Sequence, residues 1–139
     1  MVNIFVFGTL KDGFPNEHIN TGKRLKGDYR TKEHYPLCIV GKCFAPWLIL
    51  DEGNGHKVKG QVFSVDENTL ADMDKLERTE EPDGFARITI SVVSGDSGEE
   101  LIVYAYGKSV AQLQAAQVHH TLRDEYTLEH ALLYVGPAS

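Results

Sequence analysis

Two features of this sequence could do chemistry: a carboxylate on the apolar face of a helix, and a glycine at the end of a strand. The helix is predicted over Glu67–Glu77. At 100° per residue, Leu70, Met73 and Leu76 share one face, and Glu77 falls inside the same arc, between Met73 and Leu70. A carboxyl group turned inward loses water. Its pKa then climbs towards neutrality, the condition for taking and returning a proton near pH 7. The structural alternative is that Glu77, at the helix end, reaches solvent or pairs with Arg78 or Arg87. Asp74, at the edge of the arc, reads as a solvated helix residue.

The glycine lies in IFVFGTLKDG, residues 4–13. Gly8 and Gly13 have the spacing of a phosphate loop, but Phe14-Pro15 follow where such a loop needs Lys and then Ser or Thr, so nucleotide binding is not expected. What remains is a strand end where glycine lets backbone N–H groups face a cavity, a nest for a carboxylate or a developing oxyanion. A plain strand-to-loop turn is the alternative.

Other nucleophile and metal chemistry finds little support. His18, His34, His56, His119, His120 and His130 form no metal-ligand spacing, and no C-x2-C exists, so no metal site is expected. Cys38 and Cys43 read as reduced thiols with packing roles. Gly95-Asp96-Ser97-Gly98 is explained as a turn, and no G-x-S-x-G elbow is present.

The elements that would position Glu77 and the loop are mostly strands. Runs rich in Val, Ile, Phe and Tyr cover Asn3–Phe7, Tyr35–Val40, Trp47–Leu50, Val58–Val65, Ala86–Val93 and Leu101–Tyr106. Glu52–His56 and Ser94–Gly98 carry the glycines and short polar side chains of tight connections, which predicts two hairpins. Asp66 is placed to cap the helix, and a weaker helical stretch covers about Pro15–Thr21. After Gly107 a helical turn or two is expected, then a polar tail anchored by Tyr126, Leu132 and Tyr134.

The 139 residues form one domain by length, with residues 109–139 as a less regular C-terminal tail. A net charge of −6 and no basic run beyond Lys23-Arg24 give a phosphate backbone little to hold, so nucleic acid is not expected as a partner. No secretory leader or apolar run of membrane length is present, which points to the cytoplasm and no membrane. A monomer is expected.

Several motifs agree in order and spacing: FVFGTLKDGFPN, YPLCIVG, PWLI, GHKVKGQVFSVDENTLADMDKLE, FAR and IVYAYGK. Together they resemble the gamma-glutamylcyclotransferase-like superfamily, and within it the gamma-glutamylamine cyclotransferase branch. The resemblance runs from Asn3 to about Lys108, with weaker similarity around His119-His120 and Tyr134. It implies an α+β fold, a small mixed β-barrel flanked by short α-helices, with a cavity at the barrel mouth. It also implies cleavage of gamma-glutamyl amines, such as gamma-glutamyl-epsilon-lysine, to 5-oxoproline and free amine. Glu77 would be the catalytic glutamate, and Phe7, Gly8, Thr9 and Leu10 would bind substrate. Pro46, Trp47 and Phe85 would line the cavity wall, although Trp47 reads equally as core. No cofactor follows from this scheme, and the partner is a small gamma-glutamyl molecule.

The sequence departs from the family pattern in three places. Phe7 and Phe85 stand where tyrosines are usual, and Thr79–Gly84 is about two residues longer. Two other readings stay open: a gamma-glutamylcyclotransferase acting on gamma-glutamyl amino acids, and a binding protein that retains the fold with little turnover.

Overall fold

The computed structural model describes residues 1–136. Its strands are β1 (Val2–Val6), β2 (Lys23–Arg24), β3 (Tyr29–Thr31), β4 (Leu37–Val40), β5 (Ala45–Leu48), β6 (Lys59–Val65), β7 (Ala86–Ser94), β8 (Glu100–Gly107) and β9 (Val118–Leu122). The helices are α1 (Glu67–Leu76), α2 (Val110–Gln114) and α3 (Leu128–Ala131). β1, β8, β7, β3 and β6 pair in a ring that closes when β6 returns to β1, and β2 adds to β6 beside β3. The β1–β8 pair is parallel and the others in the ring are antiparallel, so this is a closed mixed barrel. A second antiparallel sheet has the order β5-β4-β9. The mixed barrel with short helices is the α+β fold expected from the sequence.

Strand alternation divides the core in two. Phe5 and Phe7 pack with Leu37, Leu48 and Val62, joining the barrel to the second sheet. Ile4 and Val6 point the other way, with Phe63 and Val65, onto Met73 of α1, and Leu70 and Leu76 pack at the edge of that cluster. The helix face read from the sequence is therefore the one that is buried.

Some expectations are corrected. Ser94–Gly98 does connect a hairpin, with Val93 opposite Glu100. Glu52–His56 turns sharply at Gly53 and Gly55, but β5 pairs with β4 while β6 pairs with β1, β2 and β3, so it links two sheets and is no hairpin. The predicted helix Glu67–Glu77 ends at Leu76, and the stretch Pro15–Thr21 holds only a 3-10 turn at Glu17–Ile19. Residues 109–136 are more regular than a tail: Ser109 caps α2 with a capping box, β9 pairs along β4, and Tyr126 is fully buried. Cys38 and Cys43 are both free thiols. Among the described residues, no helix is long and apolar enough to cross a membrane.

Candidate active site

Glu77 is placed by the way α1 ends. Asp66 accepts from the Thr69 N–H at 2.8 Å and fixes the helix start. At the other end Arg78 N–H bonds the Lys75 carbonyl at 3.2 Å and Thr79 N–H bonds the Asp74 carbonyl at 3.1 Å. These are the two bonds of a Schellman cap. Arg78 holds the left-handed position with φ 55°, where glycine is usual, and Glu77 is the last residue before that reversal. Its carbonyl then accepts the Phe85 N–H at 2.9 Å, which ties off residues 78–84 as a loop. Gly84 packs so closely on the Arg78 carbonyl that a β-carbon would overlap it.

The Glu77 carboxyl lines a cavity of about 240 Å³. The two arginines within sequence reach are taken: Arg78 pairs with Asp83 at 2.9 Å and Arg87 with Asp74 at 2.6 Å. Among the described residues the Glu77 carboxyl has no hydrogen-bond partner. Its surroundings are poor in water, and burial pushes the carboxyl up to about 7, with the Lys108 cation pulling the other way. Asp74 is a correction to the solvated reading. It is half-buried and accepts from the Tyr106 hydroxyl at 2.7 Å as well as from Arg87, so it binds α1 to β7 and β8.

Phe7, Gly8, Thr9 and Leu10 border the same cavity. Four carbonyls or hydroxyls of this loop are engaged: the Gly8 carbonyl by Lys11 N–H at 3.1 Å, the Thr9 carbonyl by Asn16 N–H at 2.8 Å, the Thr9 hydroxyl by Asn16 Nδ2 at 2.9 Å, and the Leu10 carbonyl by Asn20 Nδ2 at 3.2 Å. The N–H groups of Gly8, Thr9 and Leu10 donate to no acceptor among the described residues. A β-carbon at Gly8 would lie 2.5 Å from Cγ of Pro46, so glycine is what lets the loop rest on that ring.

Pro46, Trp47 and Phe85 also border the cavity. Phe85 meets Trp47 edge-on, with ring centroids 6.3 Å apart. The Phe7 ring belongs mainly to the core cluster.

Three residues on this cavity were not among the site residues expected from the sequence. Lys108 is 4% exposed, with Nζ 4.2 Å from the Trp47 ring centre and 4.7 Å from that of Phe85, and it donates to the Asp83 carbonyl. Asn16 holds the Gly8–Leu10 loop. Tyr134 reaches the cavity from the C-terminal segment. Lys108 and Tyr134 meet their partners across 25 and 118 residues of chain, a distance that local pattern does not reveal.

A family profile described as gamma-glutamyl cyclotransferase, AIG2-like, matches residues 4–128. The chain belongs to this family. It is thereby an enzyme of the cyclotransferase class. Gamma-glutamylaminecyclotransferase of Mus musculus is 34% identical over 117 residues, covering 76% of this chain and 77% of the relative. The Bos taurus protein of that name is 33% identical over 138 residues, with 94% and 80% covered. The Homo sapiens one is 42% identical over a shorter 84 residues, with 55% and 54% covered. The crystal structure of an AIG2-like protein from Mus musculus superposes with a TM-score of 0.70 at 28% identity, covering 91% of this chain and 95% of that one.

Proposed function

We propose that this family member converts gamma-glutamyl amines, such as gamma-glutamyl-epsilon-lysine, into 5-oxoproline and the free amine, with Glu77 as the proton carrier. The observation that carries this reading is one unpaired carboxyl titrating at about 7, sharing a cavity with the open N–H groups of Gly8, Thr9 and Leu10.

The substrate brings its own nucleophile. Its alpha-amine attacks the gamma-carbonyl carbon, forming the C–N bond of a five-membered ring, and the old amide C–N bond breaks. Holding the folded conformer supplies much of the acceleration as proximity. Ionised Glu77 takes the proton that the attacking nitrogen must lose and passes it to the departing amine, so the carboxylate is restored at each turnover. The loop amides receive the negative charge that develops on the gamma-oxygen. Trp47 and Phe85 give the leaving group's methylenes an apolar wall.

The test is release of 5-oxoproline from gamma-glutamyl-epsilon-lysine, with gamma-glutamyl amino acids as a comparison panel and Glu77→Gln alongside. Turnover of the amine, lost in the variant, supports the proposal. A folded wild type that is silent on both substrate sets refutes it, and preference for the amino acids moves the assignment to that substrate class.

A further inference from the structure

The C-terminal segment closes one side of the cavity and carries a hydroxyl into it. Past α3, Val135 N–H donates to the Cys43 carbonyl at 2.8 Å, which fixes the segment beside the turn that joins β4 to β5. One residue earlier, the Tyr134 oxygen accepts from Asn16 Nδ2 at 3.0 Å. The same Nδ2 donates to the Thr9 hydroxyl at 2.9 Å, so one amide gathers the Tyr134 oxygen onto the loop that holds the open N–H groups.

A phenol is both donor and acceptor. Here the oxygen is the accepting partner of Asn16, and the Thr9 hydroxyl also acts on it as a donor, which leaves the phenolic hydrogen for another acceptor. Burial raises the Tyr134 pKa, and the charge of Glu77 acts in the same direction. The hydroxyl therefore keeps its hydrogen over the range in which Glu77 ionises.

We infer that Tyr134 is a further catalytic residue of this site, donating its hydroxyl hydrogen to the oxygen that the Gly8–Leu10 amides hold as the gamma-carbonyl becomes negative. No bond forms or breaks at Tyr134. It donates one more hydrogen bond, which strengthens as charge grows on the oxygen. The inference rests on the cyclotransferase reading above. It gives the C-terminal segment a part in the reaction as well as in the fold.

The test is Tyr134→Phe in the full chain, assayed for kcat and KM on gamma-glutamyl-epsilon-lysine, with thermal unfolding and the pH profile of kcat measured on the same protein. The ring and the Val135–Cys43 bond remain. A fall in kcat on the order of 10- to 100-fold is expected, with KM within about twofold, an unchanged pH profile and an unchanged Tm. Wild-type kcat in the variant overturns the role, as does a rise in KM alone, which would mark a contact made equally in the ground state. A fall in kcat that tracks a lowered Tm also overturns it and leaves Tyr134 as a structural anchor. If wild type does not turn over gamma-glutamyl compounds at all, the cyclotransferase reading falls and the role of Tyr134 falls with it.

Discussion

Replacing Glu77 by glutamine should stabilise the protein, by an amount that grows as pH rises from about 4.5 to 7 and then levels off. The side chain keeps its shape but can no longer be charged. In the unfolded chain the glutamate ionises near 4.5, and in the folded protein at about 7. Between those values the native state binds more protons than the unfolded state, so stability falls as pH rises from 4.5 to 7 and is flat above. Each pH unit of separation is worth about 1.4 kcal/mol. The advantage of Gln over Glu should then grow from under about 1 kcal/mol at pH 5 to about 3 kcal/mol at pH 8.5. Water in the cavity screens part of this, which makes about 3 kcal/mol an upper figure. The assay is urea unfolding of both proteins at several values between pH 5 and 8.5. A difference that stays constant with pH, or a glutamine variant that is the weaker at pH 8.5, would refute an ionisation raised by burial.

Other substitutions probe the parts around it. Gly8→Ala drives a β-carbon to 2.5 Å from Pro46 Cγ, so the amides should shift, and kcat should drop on the order of 100-fold with the fold intact by circular dichroism. Lys108→Met removes the cation that favours ionised Glu77. The rising limb of activity should move to higher pH, so that the variant loses several-fold more at pH 7 than at pH 9. Arg78→Gly and Arg78→Ala both lose the exposed pair with Asp83, but only glycine relieves the φ of 55°. The glycine variant should be the more stable of the two by about 1 kcal/mol, read as a Tm difference of about 3 °C.

What could be read from the sequence was what short-range geometry determines. Glu77 falls among Leu70, Met73 and Leu76 by helix arithmetic alone, and Met73 is indeed fully buried beside it. The strand β1 and the loop after it were visible as an apolar run ending in glycine. β2 and β3 carry no alternation to detect at two and three residues, and in β9 the face shared by Val118 and Leu122 is interrupted by His120. Asp74 was misjudged since its partners, Arg87 and Tyr106, lie 13 and 32 residues on. Tyr134 looked like an isolated anchor because Asn16, 118 residues away, is what brings it to the cavity.

The loop 78–84 is tied at its root, where Phe85 N–H meets the Glu77 carbonyl, and its length is not felt at the carboxylate. Residues added or removed between those two points leave the backbone anchor of Glu77, the proposed proton carrier, in place. The loop borders the cavity through Arg78, Asp83 and Gly84, beyond the bond that ties it off. Changes of length that keep the Asp83 carbonyl on Lys108 are the ones expected to reshape the rim without disturbing the charge beside Glu77.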